Sequence, residues 1–220
     1  MSSFSNLKLV LLENEDDEKG GTKVDITLGT WNPGKVEWMS RGLAGTGLPI
    51  RRLKEGEVPE AEETGSSCEE NALIKALAVA KHADGRTIVA AEDSGLFIEA
   101  LDGFPGVRTA RFAPGSDDDR SRLLLERLKG VPMERRHAVF VSAVALKMPG
   151  GSGKVYRGEL RGRIAMEPVG DKSEGYDRIF LLPTGISLAS LPLEVGEARD
   201  HRRKALALAS EGILSWLDEQ

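Results

Sequence analysis

The groups in this chain best placed to do chemistry lie in Glu92-Asp93-Ser94-Gly95. Two adjacent carboxylates, a hydroxyl and a glycine follow the β-branched and apolar run Thr87-Ile88-Val89-Ala90-Ala91. The run reads as a buried strand, which puts the acids where that strand emerges from the sheet. In open α/β sheets, ligands bind at the carboxyl ends of strands. Like charges side by side are mutually unfavourable, and a divalent cation is the commonest way to make such a pair useful. Taken alone, the segment reads equally well as an exposed strand-to-loop junction with solvated acids.

Two further stretches carry groups of the same kind. Val24-Asp25-Ile26-Thr27-Leu28 alternates as a strand does, and Gly29-Thr30-Trp31-Asn32-Pro33-Gly34-Lys35 follows it. Asn32 suits an N-cap and Pro33 a first helical position, so a helix opens there with Lys35 in its first turn. Backbone N–H groups, the positive end of a helix dipole and an ammonium group together make a phosphate cradle. The spacing is not that of a Walker A loop, and an ordinary capped helix is the plainer alternative. Next, Glu60, Glu62, Glu63, Thr64 and Gly65 precede a helix carrying Glu69, Glu70, Asn71 and Lys75. Most of these acids read as solvated helix-entry charges. One of them reaching across to Glu92 and Asp93 would complete an oxygen-ligand site for a hard cation. Lys75 either meets a phosphate or points to water.

The elements that must position these groups follow from periodicity and capping. The first helix is expected to run through Arg41, and the second to open at Ser67 with Glu70 closing a capping box. Leu73, Leu77 and Ala80 of that second helix recur at helical spacing. Phe97–Leu101 is a further candidate strand. Ser116 and three aspartates cap a helix carrying Leu123, Leu124, Leu125 and Leu128. Ala138–Leu146 is apolar on both faces, as a central strand is, and pairs in a hairpin with Val155–Leu160. A final helix spans roughly residues 199 to 217. The fold class is α/β with a mixed sheet.

Composition removes several function classes. The chain has 220 residues and 40% hydrophobic content, enough for a sizeable core. Its formal charge is 30 − 35 = −5, so neither nucleic acid nor an anionic membrane is an expected partner. No apolar stretch approaches the ~20 residues needed to cross a bilayer. The single cysteine, Cys68, rules out an intramolecular disulfide and fits a cytoplasmic location. Residues 1–22 are charged and end in glycines, and they read as a flexible extension ahead of one domain spanning residues 23–220. His137 reads as packing or surface, His82 as a helix-end group, and Arg135-Arg136 is too short for a nucleic-acid patch.

In order along the chain, these segments resemble the inosine/xanthosine triphosphate pyrophosphatase family, also called Ham1/RdgB or ITPase-like. Thr30-Trp31-Asn32-Pro33-Gly34-Lys35 resembles its T-G-N-x-x-K loop. Residues 62–76 resemble E-E-T-G-x-T-F-x-E-N-A-x-x-K-A, and residues 92–96 with 101–112 resemble D-D-S-G-L and L-x-G-x-P-G-x-x-S-A-R-[YF]. Residues 175–180 and 201–206 are similar to F-G-Y-D-P-I-F and S-H-R-x-K-A-L.

The resemblance implies a long mixed sheet flanked by helices, two lobes around a central cleft, and a homodimer. It implies Mg²⁺-dependent hydrolysis of a nucleoside triphosphate, such as an inosine or xanthosine nucleotide, to the monophosphate and pyrophosphate. Thr30 to Lys35 and Lys75 would hold phosphates. Glu62, Glu92 and Asp93 would hold the metal, with Asp93 also activating water and Lys35 stabilising the transition state. Ser94, Glu174, Gly175, Tyr176, Asp177, His201 and Arg202 would contact the substrate, with Asp177, His201 and Arg202 at its base end.

Departures from the pattern gather at that base end. Glu174 replaces a phenylalanine, Gly196 a lysine, Asp200 a serine, and Trp31 a glycine, while Glu92 for Asp keeps the charge. A shifted substrate, pyrimidine or modified, and a catalytically silent nucleotide-binding protein are therefore the competing expectations.

Overall fold

A computed structural model describes residues 24–192, 195 and 200–220. The extension expected over residues 1–22, position 196 and the start assigned to the last helix at residue 199 lie outside the described residues. Seven strands form one sheet: β1 (Asp25–Leu28), β2 (Ile50–Arg52), β3 (Thr87–Ile98), β4 (Pro105–Gly106), β5 (His137–Lys147), β6 (Gly153–Ile164) and β7 (Phe180–Leu181). The order across the sheet is β2-β1-β3-β5-β6-β7, with β4 attached to β3. β1 runs parallel to β2 and β3, and every other pairing is antiparallel. Among the described residues the α-helices are α1 (Pro33–Leu43), α2 (Cys68–Ala80), α3 (Asp117–Arg127) and α4 (Asp200–Asp218). Among the described residues, no helix is long and apolar enough to cross a membrane.

Helices cover both faces of the sheet, which is why β3 and β5 are apolar on both sides. On one face Ile26, Leu28, Ile88 and Ala90 pack with Met39 of α1 and Leu206 and Ala209 of α4. On the other, Val89, Ala91, Ala143 and Ala145 pack against Cys68, Ala72, Ala76 and Val79 of α2. Small residues there let α2 approach the strands closely. A third cluster joins Leu124 and Leu128 to Leu96, Ile98, Leu160, Ile164 and Phe180 at the far end of the long strands. Each fully buried large apolar side chain contributes roughly 1.5–3 kcal/mol.

Two expectations about local structure change. The strand expected over Thr87–Ala91 continues without a break to Ile98 and absorbs part of the separate strand expected at Phe97–Leu101; Glu99–Leu101 is a 3₁₀ turn. β5 pairs with β3 from Val89 to Ile98, and that continuous ladder holds Glu92 and Asp93 extended despite their poor strand propensity. At α2, the Ser67 side chain accepts from the Glu70 amide as expected. The Glu70 carboxylate, however, turns to the amide and hydroxyl of Ser66 instead of closing the box. The full capping box forms at α3, between Ser116 and Asp119.

Arg136, one of the arginines weighed for nucleic-acid binding, is 2% exposed. Its guanidinium donates to the carbonyls of Leu128, Val131 and Ala165, tying the end of α3 to the end of β6.

Candidate active site

Among the described residues, one edge of β3 is left unpaired between β1 and β4. β1 ends at Leu28, opposite Ala90, and β4 meets β3 only at Leu96 and Phe97. The unpaired stretch in between contains Glu92, Asp93 and Ser94, and a cleft of about 860 Å³ opens there. Its volume suits a nucleotide-sized ligand. The chain leaves β1 through Gly29, whose amide donates to the Ala90 carbonyl at 2.7 Å. A Cβ at Gly29 would stand 2.9 Å from that of Ala91, so glycine is needed for the loop to cross the strand so closely.

The expected carboxylate pair is divided by the sheet. Adjacent side chains in a strand point to opposite faces, and the unbroken β3 enforces this on Glu92 and Asp93. Glu92 faces α1 and α4: its carboxylate lies 2.8 Å from Lys35 Nζ and accepts from the Ser142 hydroxyl at 2.8 Å. Asp93 faces α2, with Lys75 Nζ at 2.7 Å and Asn71 Nδ2 at 3.4 Å. A cation shared by these two neighbours, as the sequence suggested, does not fit this arrangement.

The carboxylate that does converge with Asp93 is Glu63, 3.0 Å from the same Lys75 ammonium and also paired with Arg111. Glu62, expected as a metal ligand, is exposed and does not line the cleft. Glu63 takes the inward position because two cations on α2 and the 108–111 turn fix it there. Asn71 completes the frame: it is fully buried, and its Oδ1 accepts from the Gly65 amide at 2.8 Å while its Nδ2 faces Asp93.

Electrostatics distinguish the two acids. Burial, with the neighbouring Glu63, raises Asp93 from its ordinary value, against the pull of Lys75. That is the direction a proton acceptor needs. Burial would also raise Glu92, but Lys35 and Arg202 overcome it and hold that carboxyl at about 2. Glu92 is thus a fixed anion. Burial alone would lower Lys75, yet Asp93 and Glu63 raise it, so it stays an ammonium.

Lys35 reaches the cleft from the first turn of α1. Asn32 caps that helix by accepting from the Lys35 amide at 3.1 Å, and the Asn32 amide donates to Thr30 Oγ1 at 3.2 Å. Thr30, Trp31, Asn32, Pro33 and Lys35 line the cleft; Gly34 does not. Trp31 lies half-buried, packed on the α2-side core at the mouth.

The opposite wall holds the expected base-end residues. Gly175 adopts φ 67° and donates its amide to Asp118 at 2.9 Å, so the N-terminal turn of α3 sets the Glu174–Asp177 turn. Tyr176 spends its hydroxyl on the Thr109 carbonyl at 2.6 Å, and burial pushes its pKa up to about 12. Tyr176 lines the cleft, as do Glu174 and Asp177. His201 is 4% exposed and stacks on Phe140, with ring centroids 5.2 Å apart. Arg202 lines the cleft beside it.

The fold thus brings to one cleft all the expected residues except Glu62, Gly34 and Gly175. Glu63 and Asn71 were named from sequence only as members of the cluster around α2, and Asp117 only as a capping residue; Arg111 and Phe140 were given no role at the site. Glu63 stands beside Glu62 in the same motif, and Phe140 is an aromatic in an otherwise aliphatic strand, so each left a faint signal. Asp117 left none.

Among the described residues, no three histidine, cysteine or acidic side chains converge as a metal site. Two carboxylates already gripping a cation, Asp93 and Glu63 around Lys75, do fit Mg²⁺, which typically takes one or two carboxylates and completes its shell with phosphate and water.

Similarity to known proteins agrees with this geometry. The sequence model of the Ham1 family matches residues 26–211. A dITP/XTP pyrophosphatase of Symbiobacterium thermophilum is 45% identical over 194 residues, covering 88% of this chain and 97% of that protein. The structure of a HAM1 protein from Coxiella burnetii superposes with a TM-score of 0.77 at 34% identity, covering 87% of this chain and 99% of the other. A nucleoside-triphosphatase / dITP/XTP pyrophosphatase structure from Mycobacterium abscessus gives 0.70 at 41% identity, with 84% and 97% covered. With the family pattern matched from β1 to α4 and the same fold in its solved members, this chain belongs to the Ham1 family.

Proposed function

We propose that this protein hydrolyses a nucleoside triphosphate to the monophosphate and pyrophosphate, with Mg²⁺ held by Asp93 and Glu63. One observation carries the reading: the Lys35 turn of α1 and the Asp93–Lys75–Glu63 cluster open onto the same cleft. When bound, the cation would neutralise charge on the phosphates. The chain's own groups do the rest. The α1 N-terminus and Lys35 bind and orient the phosphates, Glu92 holds Lys35 in place, and Asp93 positions water for in-line attack at the α-phosphorus.

At the other end, Phe140 and His201 offer an aromatic shelf, and Arg202 a donor for a keto oxygen. Such a donor favours keto bases over adenine, whose amine would leave it unpaired at roughly 1–3 kcal/mol. Inosine and xanthosine triphosphates and their deoxy forms are the first substrates to test. A shifted base is the second reading, favoured by the Glu174 and Asp177 carboxylates on the base-end wall. Pyrophosphate release from a panel of triphosphates with Mg²⁺ tests both; no release from any of them would refute hydrolysis and leave binding alone. A cytoplasmic location, supported by a lone buried cysteine, and a homodimer belong to the same proposal. Light scattering on the purified protein tests the dimer.

A further inference from the structure

Lys75 sits where a metal ion would have to be. Its ammonium lies 2.7 Å from Asp93 Oδ1 and 3.0 Å from Glu63 Oε1, and its side chain is only 15% exposed. Two carboxylates this sheltered repel one another strongly unless a cation stands between them. Of the neighbouring cations, Arg111 pairs with Glu63 and Lys35 with Glu92. Mg²⁺ binds oxygens at about 2.0–2.1 Å, closer than an ammonium can, so the two cations cannot share the position. Lysine has the means to leave, because its charge rides on a flexible four-carbon stem rooted in α2.

We propose that Lys75 is the built-in counter-ion of the divalent-cation site, neutralising Asp93 and Glu63 until a metal ion displaces it toward the substrate phosphates. This rests on the metal-dependent reading above and adds to it a competition between one side chain and the ion. It also accounts for how two sheltered acids stay ionised and correctly aimed before metal arrives. Lys75 is then a positioning residue in the metal-free protein and a phosphate-binding one afterwards.

The competition has a sign that a simple phosphate-binding role lacks. Removing Lys75 should tighten the metal site, although it damages turnover. Mn²⁺ titration of the full chain, followed by electron paramagnetic resonance without nucleotide, is expected to give a dissociation constant at least tenfold lower for Lys75→Met than for wild type. On the unaltered protein, saturating Mg²⁺ should raise acylation of the Lys75 amine, read by mass spectrometry. Adding a non-hydrolysable triphosphate should then suppress it. Equal or weaker Mn²⁺ binding by a folded Lys75→Met, or Lys75 acylation that Mg²⁺ does not raise, overturns the proposal. Asp93→Asn in parallel separates the two readings: if it binds Mn²⁺ like wild type, the metal assignment itself fails, and this proposal with it.

Discussion

The backbone carbonyl of His201 abuts Gly158 of β6 so closely that no side chain fits between them. A Cβ there would meet that carbonyl and stand 2.7 Å from the amide of Ala205. Gly158 therefore sets how near the first turns of α4, with His201 and Arg202, come to the cleft. Gly158→Ala should raise KM several-fold with a smaller change in kcat, since it moves base-end groups and leaves Asp93 alone. Overpacking typically costs about 1–3 kcal/mol, so melting should also fall by several degrees. Steady-state kinetics with unchanged KM would show that α4 does not position the substrate.

Asp93→Asn keeps shape and removes charge at the acid proposed above to activate water. The expected kcat falls by ~10²–10⁴-fold, the usual reach of general acid–base catalysis, with an unaltered circular dichroism spectrum. Pyrophosphate release at the wild-type rate would exclude Asp93 from the chemistry.

Glu92 makes a prediction about pH and stability. Its folded pKa of about 2 lies below its ordinary value of 4.5. A depressed carboxylate stabilises the fold above the unfolded pKa, and that contribution is lost as pH falls toward the folded one. At roughly 1.4 kcal/mol per pKa unit, the linkage is worth a few kcal/mol at most. Urea unfolding of wild type should therefore weaken more steeply than that of Glu92→Gln as pH drops from about 5 to 3. Parallel curves would mean that Lys35 does not hold this charge.

Glu174→Phe puts an aromatic ring on the cleft wall next to Tyr176. Stacking on a base is worth roughly 1–3 kcal/mol, so kcat/KM for inosine triphosphate should rise about five-fold or more. If wild type is already strong on inosine and xanthosine triphosphates and the variant gains nothing, Glu174 does not occupy a stacking position.

Cys68, fully buried at the start of α2, has its thiol pushed up to about 12 by burial and by Asp93 and Glu69. Because the thiolate is the reactive form, native protein should resist a thiol reagent at pH 8 and yield its thiol only on unfolding. Rapid native labelling would show that α2 opens readily.

Much of this architecture was legible before any coordinates. Alternation marked β1, the β5–β6 hairpin followed from two apolar runs around a glycine-rich turn, and Asn32, Ser67 and Ser116 marked three helix starts. The short strands β2, β4 and β7 were not, because two or three residues carry no period and depend on a neighbour to become strands at all.

The sequence by itself determined which chemical groups are available, that Lys35 lies in the first turn of a capped helix, and that an order of motifs resembling one family runs from β1 to α4. Only the tertiary structure decided which groups act together. Pairing with β5 carried β3 past its acids, so alternation sent Glu92 to one lysine and Asp93 to another on the opposite face. Cations on α2 and the 108–111 turn then selected Glu63 over Glu62. Neighbours in sequence were parted and residues far apart were joined, because the sheet ladder and charge neutralisation act through space, where spacing along the chain has no say.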